Sequence, residues 1–387
     1  MLPYDEILRQ LHQKSLYREL RTIEEVQGPA VRIGDRMLVN FASNDYLGLS
    51  QHPAVKAAAK AAIDQFGAGS GASRLISGTN EVHTHFEEEI AAFKRTERAL
   101  LFATGYAAAV GTITSLVGPG DVVILDKLGH ACLIDGAKLS GAFLRVFPHN
   151  DMAKLRHHLA WARRTYPHGN VLIVTESIFS MDGDFGKLAE ITALKREFHA
   201  LLFVDEAHAT GVIGLHGEGW IAALGLTQQV DVQMGTLSKA LGASGGFICS
   251  SEMLIQLLVN RARSFIYSTA LPPASAAAAS AALAIIRSEE GAMLRSRLRS
   301  NVLDLYAQLT ATDRQAPDPA GPIVPLVIGD EQQTLELAEI LYQRGLLAPA
   351  IRYPTVARGA ARLRIALNSS HSMEQIQSLS QTINAFR

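Results

Sequence analysis

The stretch Val230-Asp-Val-Gln-Met-Gly-Thr-Leu-Ser-Lys-Ala-Leu-Gly-Ala-Ser-Gly-Gly-Phe-Ile-Cys249 decides how the chain is read. An apolar run ends in a small, polar segment that carries one lysine, Lys239, between Ser238 and Ala240. Gly242, Gly245 and Gly246 follow closely, and Thr236 offers a hydroxyl three residues before. Such neighbours are too small to hide an amine and too apolar to hydrate it. The pattern suits a lysine held against a phosphorylated aldehyde, with which its amine condenses. It equally suits a surface lysine that follows a strand.

Working outward, short β-branched or apolar runs fall at 99–103, 121–126, 142–147, 170–176, 200–205, 230–235 and 245–250, with helical segments between them. This alternation predicts an α/β fold whose large domain holds a mainly parallel seven-stranded sheet covered on both faces. Ligands in such sheets bind beyond the carboxyl ends of the strands. The residues expected there are Thr104-Gly105-Tyr106, Leu128-Gly129-His130, Glu176-Ser177, Ser180 to Gly183, Asp205 to His208, and Thr236 to Lys239.

The flanking regions differ. Leu8, Leu11, Leu16 and Leu20 predict an amphipathic helix over 5–25, with Lys14, Arg18 and Arg21 on a basic side. A hairpin over 28–40 turns at Gly34-Asp35, and His52-Pro53 precedes a helix over 54–66. Gly67 to Ser73 imitates a dinucleotide fingerprint, but a helix precedes it and more loop follows, so a nicotinamide site is not expected. Past about 275 a long helix, 273–311, leads to the proline-rich loop 316–322. A βαβ-like stretch follows, with a strand at 323–328, a helix at 332–344, a strand at 361–367 and a last helix. The expected domains are an N-terminal arm over 1–45, a large cofactor domain over 46–275 and a small α+β domain over 276–387.

The totals exclude several classes. With 36 basic and 37 acidic residues, no nucleic-acid footprint is present. Cys132 and Cys249 stand far apart and fit a reducing compartment. The N-terminus lacks a signal-peptide pattern, and the apolar run 274–286 is too short to span a bilayer. A cytoplasmic protein is expected. His83 and His85 have no carboxylate or cysteine at ligand spacing, so no metal site is expected.

The polar residues after the strands each carry two readings. Asp205 either caps a helix or pairs with a ring nitrogen, whose protonated form an anion within ~4–6 Å favours. His208 is then incidental or a donor to a phenolic oxygen. Asp205-Glu-Ala-His208 also matches a helicase box, but the chain has no GxxxxGK[ST] phosphate loop. His130 either stacks on a flat ring or is satisfied by backbone. Gly105-Tyr106 opens a helix, and with Thr236 forms either an anion site or a plain βα loop. Ser180 is a turn residue or a partner of the ring oxygen. Arg352 suits a bidentate grip on a carboxylate or a surface ion pair, and Arg21 a solvated helix charge.

At these residues the chain resembles the α-oxoamine synthase family, pyridoxal 5'-phosphate (PLP) enzymes of fold type I. The resemblance runs from about 5 to 385. It rests on Ser43-Asn-Asp-Tyr-Leu-Gly-Leu49, Gly67-Ala-Gly-Ser-Gly71, Ser77-Gly-Thr79, His130 through Leu139, Phe179-Ser-Met-Asp-Gly183, Val204-Asp-Glu-Ala-His-Ala-Thr-Gly211, Thr236-Leu-Ser-Lys239 and Phe265-Ile-Tyr-Ser-Thr269. Arg362-Leu-Arg-Ile-Ala-Leu367 and Ala350-Ile-Arg-Tyr-Pro-Thr355 favour the member that joins L-alanine to a pimeloyl thioester, on CoA or a carrier protein, over the one that uses glycine and acetyl-CoA. The chain departs from that member at Tyr353, usually proline, and at Ala107 to Ala109, where asparagine is common. The resemblance implies that Lys239 links covalently to PLP, that Asp205 pairs with its pyridine nitrogen, and that His208 and Ser180 contact its ring oxygen. It implies that His130 stacks on the ring and touches substrate, and that Gly105, Tyr106 and Thr236 hold the phosphate. It assigns Asn44 and Arg352 to the amino-acid carboxylate and Arg21 and Thr355 to substrate. It further implies a homodimer in which Ser268 and Thr269 reach the neighbouring subunit's cofactor.

Overall fold

The structure, a computed structural model, describes residues 4–14, 16–309, 317 and 320–386. The chain forms two compact units, Met1–Ser43 with Ser300–Arg387, and Asn44–Arg299. The larger unit therefore runs past residue 275, where the sequence pattern changes.

The larger unit is built on seven strands: β1 (Arg98–Phe102), β2 (Val122–Asp126), β3 (Phe143–Phe147), β4 (Val171–Glu176), β5 (Leu201–Asp205), β6 (Val232–Thr236) and β7 (Gly246–Ser250). Their order across the sheet is β1-β7-β6-β5-β4-β2-β3. β2, β3, β4, β5 and β6 pair in parallel, and β7 runs antiparallel to both β1 and β6. Side chains on a strand alternate between faces, and here both faces are covered. Val123, Leu125, Leu172, Val174 and Phe203 enter one apolar cluster; Val122, Ile124, Val171, Ile173 and Leu202 enter the other. Burial on both sides is why these strands read as continuous apolar runs rather than as alternation.

The smaller unit contains a helix over Tyr4–Gln13, the hairpin Ala30–Ile33 with Arg36–Asn40, and a three-stranded sheet with helices Glu331–Gln343 and Met373–Phe386. Three expectations change. The helix predicted over 5–25 stops at Gln13, because the amides of Leu16 and Tyr17 fold back onto the Leu11 carbonyl and Tyr17 stacks on His12 at 3.8 Å. The single helix over 273–311 is two, Pro273–Arg287 and Glu289–Gln308, separated at Ser288, whose extended backbone (ψ 174°) breaks the ladder. Residues 310–316 and 318–319 lie outside the described residues, and with them the end of that predicted helix and most of the proline-rich loop. The βαβ-like stretch is not parallel: strand Ile323–Gly329 pairs antiparallel with Ala361–Ala366. No helix among the described residues is long and apolar enough to cross a membrane.

Candidate active site at the carboxyl ends of the strands

The sheet delivers its strand-end residues to one cavity of about 270 Å³ in the larger unit. Its walls are Thr104, Gly105, Tyr106, His130, Cys132, Glu176, Asp205, Ala207, His208, Met234, Thr236, Ser238 and Lys239. All four residues expected to be catalytic, Lys239, His130, Asp205 and His208, are thus in one place, with Gly105, Tyr106 and Thr236.

Lys239 sits in the connection 237–245 between β6 and β7, which folds back on itself. Leu237 donates to the Gly245 carbonyl at 3.0 Å, Ala243 to Leu237 at 2.9 Å and Gly242 to Lys239 at 2.9 Å. Gly242 has φ 63° and a Cβ there would lie 2.3 Å from the Ser50 amide nitrogen, so glycine is required twice over. The Lys239 Nζ stands 2.9 Å from His208 Nε2. Behind it, His208 Nδ1 is 2.6 Å from the buried Tyr46 hydroxyl, which donates to Asn44 Oδ1 at 3.1 Å. Asn44 is therefore connected to the lysine through two side chains, although it does not line the cavity.

Asp205 ends β5. No helix follows it; its Oδ1 accepts from Ala207 at 2.8 Å, and the chain turns. Its neighbour Glu206 points the other way, into a fully buried ion pair with Lys94 at 2.7 Å. The register of β4 with β5 places Glu176 beside Asp205. Burial, reinforced by repulsion from Asp205, pushes the Glu176 carboxyl well above the usual carboxylate range. Glu176 also accepts from the His130 amide at 2.6 Å. His130 caps the helix Ala131–Leu139, its Nδ1 accepting from the Cys132 amide at 3.3 Å, and its ring forms a wall of the cavity. Burial pushes the Cys132 thiol far up, which keeps it protonated and inert.

Gly105 opens the helix Gly105–Leu116, capped by Thr104, whose hydroxyl accepts from Ala107 at 3.0 Å. A Cβ at Gly105 would come within 3.6 Å of Thr236 Oγ1, and one at Gly246 within 2.6 Å of the Gly105 amide nitrogen. Helix N-terminus and hydroxyls therefore converge at close range, as an anion site needs. Ser238 Oγ, 2.8 Å from Thr236 Oγ1, belongs to the same group. Ser180 is buried in the turn after β4 but is not among the cavity walls.

Arg21, Arg352 and Thr355 lie in the smaller unit. Arg21 lies outside any helix or strand, its guanidinium 5.0 Å from the Tyr342 ring centre. Arg21 and Arg352 line one cavity of about 700 Å³ there, and Arg352 and Thr355 a second of about 120 Å³.

Residue position alone did not single out Glu176, Ser238 or Tyr46 as site residues. Glu176 and Ser238 had one readable signal, their place just after a strand. Tyr46 stands in the Ser43–Leu49 block that carries the resemblance, but its contact with His208, 162 residues away, has no local signal.

The profile of the aminotransferase class I and II family matches residues 36–383. The chain belongs to that family. Among curated relatives of this aminotransferase-family chain, an 8-amino-7-oxononanoate synthase of Geobacter sulfurreducens is 46% identical, the alignment covering 96% of this chain and 94% of that protein. Among solved structures, a serine palmitoyltransferase from S. paucimobilis with bound PLP and myriocin is 30% identical with a TM-score of 0.91, covering 99% of this chain and 96% of that one. An 8-amino-7-oxononanoate synthase from Francisella tularensis is 29% identical with a TM-score of 0.76, covering 90% and 97%. The family member described here is a PLP-dependent acyltransferase. The cavity fits that cofactor: it offers an amine for the aldehyde, a carboxylate for the ring nitrogen, and a helix N-terminus with Thr236 and Ser238 for the phosphate.

Proposed function

We propose that the chain condenses L-alanine with a pimeloyl thioester, on CoA or a carrier protein, giving 8-amino-7-oxononanoate, carbon dioxide and the free thiol in biotin biosynthesis. The names of the relatives support this reading, and one observation carries it: Lys239 Nζ lies 2.9 Å from His208 Nε2 in the cavity that also holds Asp205. PLP bound there would withdraw electrons from the amino acid's Cα, so that this carbon can lose its proton and join the acyl carbonyl, with loss of thiol and of the carboxylate as carbon dioxide.

The residues divide the remaining work. Lys239 would hold the cofactor through its aldehyde, and its amine, once free, would serve as the base for the α-proton. Asp205 would keep the pyridine nitrogen protonated, and His208 and Ser180 would hold the ring oxygen. His130, a wall of the cavity, would hold the ring and meet substrate, while Gly105, Tyr106 and Thr236 would hold the phosphate. Asn44 and Arg352 are assigned to the amino-acid carboxylate, and Arg21 and Thr355 to substrate. The working form is a cytoplasmic homodimer, with Ser268 and Thr269 offered to the second subunit. Thr269 pairs with Ser73, and the neighbouring Leu75, Ile76 and Tyr267 expose 51%, 80% and 72% of their surface, more apolar area than a lone subunit needs to show.

Mass analysis of the products formed from alanine or glycine with a panel of acyl thioesters tests the reading. It expects an eight-amino, seven-oxo nine-carbon acid from alanine and the pimeloyl thioester. A product from glycine and acetyl-CoA alone would make the chain a glycine C-acetyltransferase instead.

A further inference from the structure

Tyr46 is fully buried, outside the cavity walls, and holds two of the assigned residues at once. Its hydroxyl has one proton and lies between Asn44 Oδ1 at 3.1 Å and His208 Nδ1 at 2.6 Å. A carbonyl oxygen only accepts. When the phenol donates to Asn44, its lone pair faces His208, so Nδ1 carries the imidazole proton and Nε2 is the acceptor for an N–H of Lys239, 2.9 Å away. Each link then has one donor and one acceptor: Lys239 to His208, His208 to Tyr46, Tyr46 to Asn44. An oxygen acceptor in the cavity needs the reverse, a proton on Nε2. A neutral His208 can supply it only if Nδ1 becomes an acceptor, and a hydroxyl is the partner that can turn from accepting to donating.

We propose that Tyr46 is a positioning residue whose hydroxyl decides which ring nitrogen of His208 carries the proton, and so whether His208 faces the cavity as acceptor for Lys239 or as donor to the cofactor's oxygen. The same turn of the hydroxyl withdraws a hydrogen bond from Asn44, which couples the amide assigned to the substrate carboxylate to the state of His208. That second half rests on the reading of Asn44 given above.

The experiment is nitrogen-15 NMR of histidine-labelled protein, without PLP and after loading with it, for the parent chain and for Tyr46→Phe, which keeps the buried ring. His208→Gln identifies the resonances. Without PLP the parent is expected to show His208 protonated on Nδ1, and on Nε2 once loaded. Tyr46→Phe is expected to hold the proton on Nε2 in both states. A parent already protonated on Nε2 without PLP, or a variant that still switches, overturns the proposal, and the first of these requires no variant to fold. In turnover, Tyr46→Phe should lower kcat/KM for alanine about 10- to 100-fold, the effect of leaving one buried polar group unmatched. If Asn44 holds the substrate, a raised KM carries part of that loss. An altered NMR pattern with KM unchanged would remove Asn44 from the substrate site and leave the role of Tyr46 at His208 standing.

Discussion

His149 Nε2 lies 2.6 Å from Asp184 Oδ2, while its Nδ1 lies 3.0 Å from the buried Asp126. Both contacts matter to the site because of what the two carboxylates carry. Asp126 also accepts from Leu128, in the turn that leads to His130, and Asp184 closes the turn that contains Ser180 by accepting from Phe179 through its carbonyl. One imidazole thus bridges the two turns. Burial disfavours its charged form, but the hydrogen bonds to Asp126 and Asp184 outweigh that and raise its pKa to about 10.

The sign of the pH dependence follows. A histidine whose folded pKa lies above its unfolded value of ~6.5 contributes stability that is complete below that pH and is lost as pH rises through the folded value. The bridge should therefore stabilise at pH 6 and fade between about 7 and 10. Its upper bound, before solvent screening, is about 5 kcal/mol. Denaturant unfolding of the parent and of His149→Gln should show the largest gap at pH 6 and near convergence above pH 10. A gap independent of pH would mean that the imidazole is not charged.

Gly246 faces the Gly105 amide so closely that an added Cβ would sit 2.6 Å from it. Gly246→Ala must push the strand from the helix N-terminus, at a cost of about 1–3 kcal/mol for overpacking. PLP affinity, followed by absorbance titration, should fall by at least about tenfold as the phosphate donors separate. Unchanged affinity would take the phosphate away from Gly105.

Glu176 is driven toward its neutral form, yet still accepts from the His130 amide. Glu176→Gln preserves that acceptor and removes only a charge the site does not favour, so stability should change by less than about 1 kcal/mol. Glu176→Ala leaves the amide unmatched and should destabilise by about 1–3 kcal/mol. Equal losses in the two variants would refute the account of Glu176 as a neutral acceptor.

Lys239→Ala should abolish turnover and leave no cofactor on the peptide around position 239 after borohydride reduction. Asp205→Asn should still take up PLP but lose activity by on the order of 10²–10⁴, the range of a misplaced proton in general acid–base catalysis. Near-parent rates in either variant would displace that residue from the chemistry.

The central strands were legible because they are buried on two faces and so form nearly continuous apolar runs, while the edge strand Phe143–Phe147 is partly exposed and was marked by its β-branched and aromatic residues. Reading polar residues just past each run was enough to collect Lys239, Asp205, His208, His130 and Gly105. Helix ends were harder. Leucine spacing carries on from Leu11 to Leu16 and Leu20 although the backbone has already reversed, since periodicity registers side chains and not the amide turn. At Ser288 a signal did exist: serine before Glu289-Glu290 is a helix-start pattern, and Ser288 Oγ does accept from Gly291 at 3.4 Å. Glu176, Tyr46 and His149 act through partners set by strand register or by long-range packing, and spacing along the chain does not encode those.

The turn that bears Lys239, residues 237–245, is pinned by its own amides and continued on both sides into hydrogen-bonded strands. Its backbone has almost no slack. When the amine leaves one atom for another, the travel must come from rotation about its four methylenes, with the main chain as a fixed pivot. Substrate exchange then requires no loop to open at the lysine itself, and lengthening that turn would displace the nucleophile together with Ser238.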